Sequence, residues 1–487
     1  MTVPLRTLPR PRRVDARLVA TTAQWSLLAL ALISITMRPL VRVLGLPGFL
    51  INLDALLTPV VAGGVFVLAV LARRALPPAH RLMTLLVGLV TLALLFSWLA
   101  GSPRSVASLG LGAAMVLLLP FALFLVVLGS GAPVPPVMRR TLMLLVLLQL
   151  SVGFVQYVAL SVAQKAPVGA DLVDGTTSHN LWPLFALPAS LVLVLTGRER
   201  LRLLLPLSVV LLAVYAEAKA ALIVWLPIMT VVLVADMLRN RASRRRQLHP
   251  RRHDDGLDAA SRAGIVVLTV ALLLVGLWWT PSVQGTWLVF RGHSQSLEEF
   301  AVQGGAADIA APTLRDGIST VSDHLTRGPR QLLLGLGPAN TTSHAAEVLT
   351  QGAKNGVNLP RPGPVARGLL NGGDDIKFRD AQSSVLGIIG DLGVIGTLLY
   401  AAVCLCGVLV LFAGTGFRRA LRSPEAWTAA CIVGSLLVGG TLLDWPEQAS
   451  VVLPVILAAL VVSAGTVNPP GAEATAAVRT DHARVGA

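Results

Sequence analysis

The sequence predicts an all-α integral membrane protein of about twelve transmembrane helices. Both termini are cytoplasmic in this reading, and one large extracytoplasmic loop lies between helices 9 and 10. Three observations predict it. Of the 487 residues, 54% are hydrophobic and only 13% are charged, whereas soluble domains are about a quarter charged. Apolar runs recur at close to the ~20 residues needed to cross about 30 Å of hydrocarbon. The ladder of runs is interrupted once, by 102 mostly polar, Gly-rich residues at 281–382.

In chain order, residues 1–17 form a cytoplasmic segment with five Arg. No small-residue cleavage site follows the first apolar run, so it reads as a retained span and not a removed signal peptide. The nine spans before the loop are 18–36, 55–72, 82–100, 109–128, 141–163, 181–196, 203–216, 220–237 and 263–280. Three more follow at 384–412, 425–443 and 449–466. Residues 238–262 make an Arg-rich connector, and the composition of 467–487 is that of a disordered tail. No internal repeat of the kind common in secondary transporters is visible.

Lys and Arg counts orient the ladder, because short cytoplasmic loops are enriched in them. With the N-terminus inside, the inner segments hold 26 and the short outer loops 5 (Arg38, Arg42, Arg104, Lys165, Lys219). The loop 281–382 then faces outward and is balanced, with nine basic and nine acidic residues. The formal charge of +15 is therefore a topology signal and an attraction to anionic membrane lipid, not a nucleic-acid footprint. The three cysteines fall inside spans, so no disulfide or thiolate metal site is implied.

Within the loop, Thr313-Leu314-Arg315-Asp316 reads as a capping box opening a helix over 313–326. Leu314, Ile318, Val321 and Leu325 mark its apolar face. Residues 332–340 read as a Gly-rich turn, and 351–373 as a mobile Gly/Pro/Asn-rich stretch.

Four places could carry chemistry. Lys219, beside Glu217, begins a span at the outer boundary, where an ionisable group is costly and tends to face a cavity. Arg315 opens the loop helix, and a guanidinium near a helix N-terminus suits phosphate oxygens. His179 and Asn180, at the entrance to span six, suit sugar hydroxyls. Asp391 lies about two turns into span ten, among glycines that permit close helix packing. The other outer histidines, His293, His324 and His344, lack the spacing of a zinc pair, so no metal is expected. No Walker loop, dinucleotide fingerprint or nucleophile elbow occurs, and no cofactor is implied.

Taken in order, these pieces resemble the O-antigen ligase and O-antigen polymerase family of bacterial membrane glycosyltransferases. Asn52-Leu53-Asp54 opens span two; Gly175-Thr176 to Asn180 precedes span six; Ala218-Lys219-Ala220 stands where the family has Ser-Arg-Gly or Ser-Arg-Ala. Arg315, then Leu334-Gly335-Leu336-Gly337-Pro338-Ala339-Asn340, then Gly390-Asp391-Leu-Gly-Val-Ile-Gly396, are similar to the family's outer loop running into its Glu-Leu-Gly-Leu-Ile-Gly span. The resemblance covers about residues 50–440 and implies a GT-C-like architecture in the bacterial plasma membrane.

It implies a glycan donor on a polyprenyl (undecaprenyl) pyrophosphate, a hydroxyl acceptor on a glycan or glycolipid, and polysaccharide-assembly proteins as further partners. Arg315 and Lys219 would stabilise the leaving pyrophosphate. The family's loop-end His falls on Gln382, which cannot act as a base, leaving His344, Asp380 and Asp391 as candidates. Arg291, Glu217, Gln382, Ser383, His179 and Asn180 are the substrate-binding candidates. Two other classes fit a polytopic chain with such a loop: a peptidoglycan-polymerase-type enzyme, with its carboxylate among Asp374, Asp375 and Asp380, and a lipid or glycan transporter.

Overall fold

The computed structural model describes residues 15–159, 314–354, 360, 362–370, 384–413, 424–442, 447 and 449–467, with a few isolated helical positions between 186 and 209. Among these residues every regular element is helical and no strand occurs. Four helices are long and apolar enough to cross a membrane: Ala16–Met37, Leu50–Leu71, Pro78–Ala100 and Ser384–Leu411. A bent pair, Val106–Val116 with Leu118–Gly129, makes a fifth if counted as one span. Spans expected at 203–216, 220–237 and 263–280, and most of 181–196, lie outside the described residues.

The amino-terminal half forms α1 (Ala16–Val43), α2 (Leu53–Leu71), α3 (Pro78–Ala100), α4 (Val106–Leu111), α5 (Leu118–Gly129) and α6 (Pro136–Ala159). All twelve residues of α5 are buried. A helix apolar on every side needs apolar neighbours on every side, and α5 has them in α1, α2 and α3. Gln24 of α1 reinforces the packing: its side-chain amide donates to Gly129 O at 2.8 Å and Ala132 O at 2.9 Å, capping carbonyls at the α5 terminus.

The fourth expected span is not one straight rod. It breaks at a π-helical turn, Gly112–Val116, and the flanking helices meet at 52°. An inserted residue in the turn bends the axis, and Pro120 sits in the first turn of α5, where its missing N–H is tolerated. The tenth expected span is also broken. Within α11 (Ser384–Ala413), Gly393 has φ +66°, a left-handed conformation that divides the helix. The carboxy-terminal helices are α12 (Pro424–Leu442) and α13 (Ala449–Val467), and α13 packs on α1, α5 and α12.

The outward faces of α2, α3 and α11 expose Val60, Leu71, Leu85, Phe96, Leu398 and Leu405. Water would penalise so continuous an apolar belt, whereas lipid tails solvate it. The described part of the chain is thus all-helical and built for a membrane.

The outer loop contributes four short helices: α7 (Leu314–Leu325), α8 (Pro329–Leu334), α9 (His344–Lys354) and α10 (Pro364–Leu370). Three sequence expectations change here. The Gly-rich turn begins at Gly335, because Leu332–Leu334 complete α8. Part of the stretch read as mobile is helical, and Ala366 N donates to Asn340 O at 3.1 Å. On α7, Val321 and Leu325 are buried but Ile318 is half exposed, so the packed face is narrower than the periodicity implied.

Candidate functional site

The site is built where the segment Gly335–Ser343 folds into the ends of α3 and α11. Two sequence motifs, 334–340 and 390–396, meet here although 50 residues separate them. Asp391 of α11 is fully buried. One carboxyl oxygen, Oδ2, accepts from Ala339 N–H at 2.9 Å and from the Ser343 hydroxyl at 2.6 Å. The other accepts from the Thr341 hydroxyl at 2.6 Å. Each hydrogen bond to a charged group contributes about 1.5–3 kcal/mol, so three of them fix the segment firmly to α11.

The backbone completes the joint. Leu336 N donates to Gly390 O at 2.8 Å. The Ser97 hydroxyl of α3 donates to Asp391 O, a carbonyl freed by the break at Gly393. Gly387, Gly390 and Gly393 of α11 serve this contact and not the helix-to-helix packing expected of this glycine run, whereas Gly407 further along packs on Leu123 of α5. A Cβ on Gly387 would lie 2.8 Å from Ser343 Cα, and one on Gly390 would lie 2.6 Å from the Thr341 methyl. At Gly393 an added Cβ would strike the backbone of Leu333 and Gly335. Gly335 (φ +81°) takes a conformation that side chains rarely adopt.

Asp391 thereby presents His344, the residue after Ser343, at the N-terminus of α9. The His344 backbone N–H donates to a carboxylate oxygen of the buried Glu447. Glu347, in the first turn of α9, is buried as well. Both carboxylates lie where the positive end of a helix dipole favours negative charge. The His344 ring places Nδ1 3.0 Å from Glu347 Oε2. Facing an ionised Glu347, which only accepts hydrogen bonds, Nδ1 carries the proton and Nε2 the lone pair. The pair has the chemistry of an oriented base: a carboxylate fixes the imidazole's tautomer and stabilises the cation formed when Nε2 takes a proton.

Of the other candidates, Arg315 is the second residue of α7. The helix packs against α8, α10 and α11, so it belongs to the same end of the bundle. Its side chain lies outside the described residues, as do His179, Asn180, Glu217, Lys219, Arg291, Asp380, Gln382 and Ser383. Asp54 is buried in the first turn of α2, at the end of the bundle where α3 finishes. His324 closes α7; partial burial, then the neighbouring Arg327, hold its imidazole below the usual range. Among the described residues no three His, Cys, Asp or Glu side chains are grouped so as to hold a metal ion.

Sequence reasoning passed over Ser97, Thr341, Ser343, Glu347 and Glu447. Two signals were available: hydroxyls in succession at 341–343 after a Gly-rich turn, and Glu347 three residues after His344, one turn along a helix. A scan against protein-family models finds no match, and a search of curated proteins finds none either.

Proposed function

We propose that this protein is a metal-independent membrane glycosyltransferase. It moves a glycan from a polyprenyl-pyrophosphate carrier onto a hydroxyl of another cell-surface glycan or glycolipid. The observation that carries the reading is the His344–Glu347 pair, held at 3.0 Å on the segment that Asp391 fastens to α11. In the twelve-span topology read from the Lys and Arg counts, this end of α3 and α11 is the outer face of a bacterial plasma membrane.

In the proposed reaction, His344 Nε2 removes the acceptor hydroxyl's proton as its oxygen attacks the anomeric carbon. The bond from that carbon to the pyrophosphate oxygen breaks, and the electron pair leaves with the pyrophosphate. Glu347 stabilises the imidazolium through Nδ1–H. Arg315 and Lys219 meet the growing negative charge on the leaving group. Asp391 acts through the fold, because its carboxyl group is spent on Ala339, Thr341 and Ser343. It is a positioning residue and not the base.

The test is glycan transfer by purified protein in detergent, where no two sides exist. Product in wild type and none with Arg315→Ala, both inserting equally, supports the enzyme reading. Full activity of Arg315→Ala removes that residue's role. No transfer by wild type, with carrier lipid crossing vesicle membranes that contain it, turns the assignment to a transporter.

A further inference from the structure

On the opposite end of the bundle, α2 and α3 enclose a groove of about 470 Å³. Its wall is apolar along its length and includes Phe66, Gly88 and Leu92. Arg73, Arg74 and Arg81 are among the residues that line it, and no acidic residue is. All three arginines are exposed.

The groove is shaped by particular residues. Gly88 lacks the Cβ that would lie 3.3 Å from the tip of the Phe66 ring, so the ring edge can approach α3 closely. Phe66 is held from behind by Phe124, with ring centroids 6.3 Å apart. Arg81 Nε donates to Leu76 O at 2.8 Å, which aligns the guanidinium with the turn that carries Arg73 and Arg74. Arg81 Nη2 also donates to Arg74 O at 3.5 Å, and the guanidinium fork has further N–H groups of a kind suited to phosphate oxygens.

The dimensions select the occupant. From Arg81 to Leu92 the helix rises about 16 Å at 1.5 Å per residue. That is about half of a 30 Å hydrocarbon layer, the depth of one leaflet. The Lys and Arg count puts the arginines on the cytoplasmic side, whose leaflet carries anionic lipid.

We propose that this groove is a binding site for an anionic glycerophospholipid of the cytoplasmic leaflet, with its phosphate on Arg73, Arg74 and Arg81 and an acyl chain along Phe66 and Gly88. The site is separate from the outer-face chemistry, and its occupancy does not depend on glycan transfer.

The test uses the full chain in nanodiscs containing phosphatidylglycerol with a photoactivatable group midway along one acyl chain. Crosslinks are expected to concentrate on Phe66 and its neighbours in α3. Unlabelled phosphatidylglycerol should compete at least about fivefold better than phosphatidylcholine, and Arg73→Gln/Arg74→Gln should abolish that preference. Gly88→Leu, which fills the groove and keeps the arginines, should remove the Phe66 crosslink. Crosslinks spread evenly over the exposed apolar belt would overturn the proposal. So would equal competition by the two lipids, or a Phe66 crosslink that survives Gly88→Leu.

Discussion

The Ser343 hydroxyl donates to Asp391 Oδ2 at 2.6 Å, joining the segment before α9 to the first turns of a membrane-type helix. That bond fixes the start of α9, and His344 follows it directly. The position of the proposed base thus depends on a carboxyl group bonded to Ala339, Thr341 and Ser343.

Asp391→Ala is expected to lower stability more than most core truncations. Three donors, Ala339 N–H, Thr341 and Ser343, lose their acceptor in a buried place, at about 1–3 kcal/mol each. Asp391→Asn keeps one oxygen and should lose roughly half as much. Thermal unfolding in detergent reads the order. A variant Asp391→Ala as stable as wild type would remove the latch from this account.

His344→Ala should cut glycan transfer by about 10²- to 10⁴-fold, the usual worth of a general base. Glu347→Gln should cost less, because the imidazole stays while its orienting carboxylate goes. If both variants insert and unfold like wild type, the loss belongs to chemistry. Equal activity of wild type and His344→Ala would exclude His344 as the base.

Gly393→Ala and Gly335→Ala are both expected to be severely destabilising. Each places a Cβ in a left-handed conformation, at about 1–2 kcal/mol, and each also strikes backbone atoms that have no room to move. Gly64→Ala is the control: its Cβ meets nothing within 4 Å, and helix propensity favours Ala by about 1 kcal/mol. Melting temperatures of the three variants should therefore separate in sign.

Gln24→Leu removes the donor shared by Gly129 O and Ala132 O. Gly129 O keeps only its longer bond from Ala132 N at 3.3 Å, and the Ala132 carbonyl loses this donor; a buried acceptor left unpaired costs about 1–3 kcal/mol, and the α1–α5 contact should loosen. The expected result is a lower melting temperature with the proposed transfer reaction otherwise retained.

The helices themselves were legible in the sequence, because their cause is local. A run of about 20 apolar residues can satisfy its backbone in hydrocarbon only as a helix. The run at 384–412 accordingly becomes α11 at Ser384–Ala413, and 449–466 becomes α13 at Ala449–Val467. Asp391 also stood out, as a carboxyl group inside a span, and His344 was a base candidate through the family resemblance. Their relation did not stand out. Asp391 read as a base candidate because its partners lie about 50 residues away, and no periodicity connects hydroxyls at 341 and 343 to a carboxyl group at 391.

The breaks belonged to tertiary structure for the same reason. Gly393 looked like one more packing glycine of α11, and only the approach of Leu333 and Gly335 shows why its conformation must be left-handed. The sequence by itself marked the long apolar helices among the described residues, since their cause is short-range; the short loop helices α8 and α10, in stretches read as turn and mobile, were not legible in it. Only the tertiary structure decided which polar group satisfies which, because a buried donor takes whatever acceptor the packed helices bring within 3 Å of it.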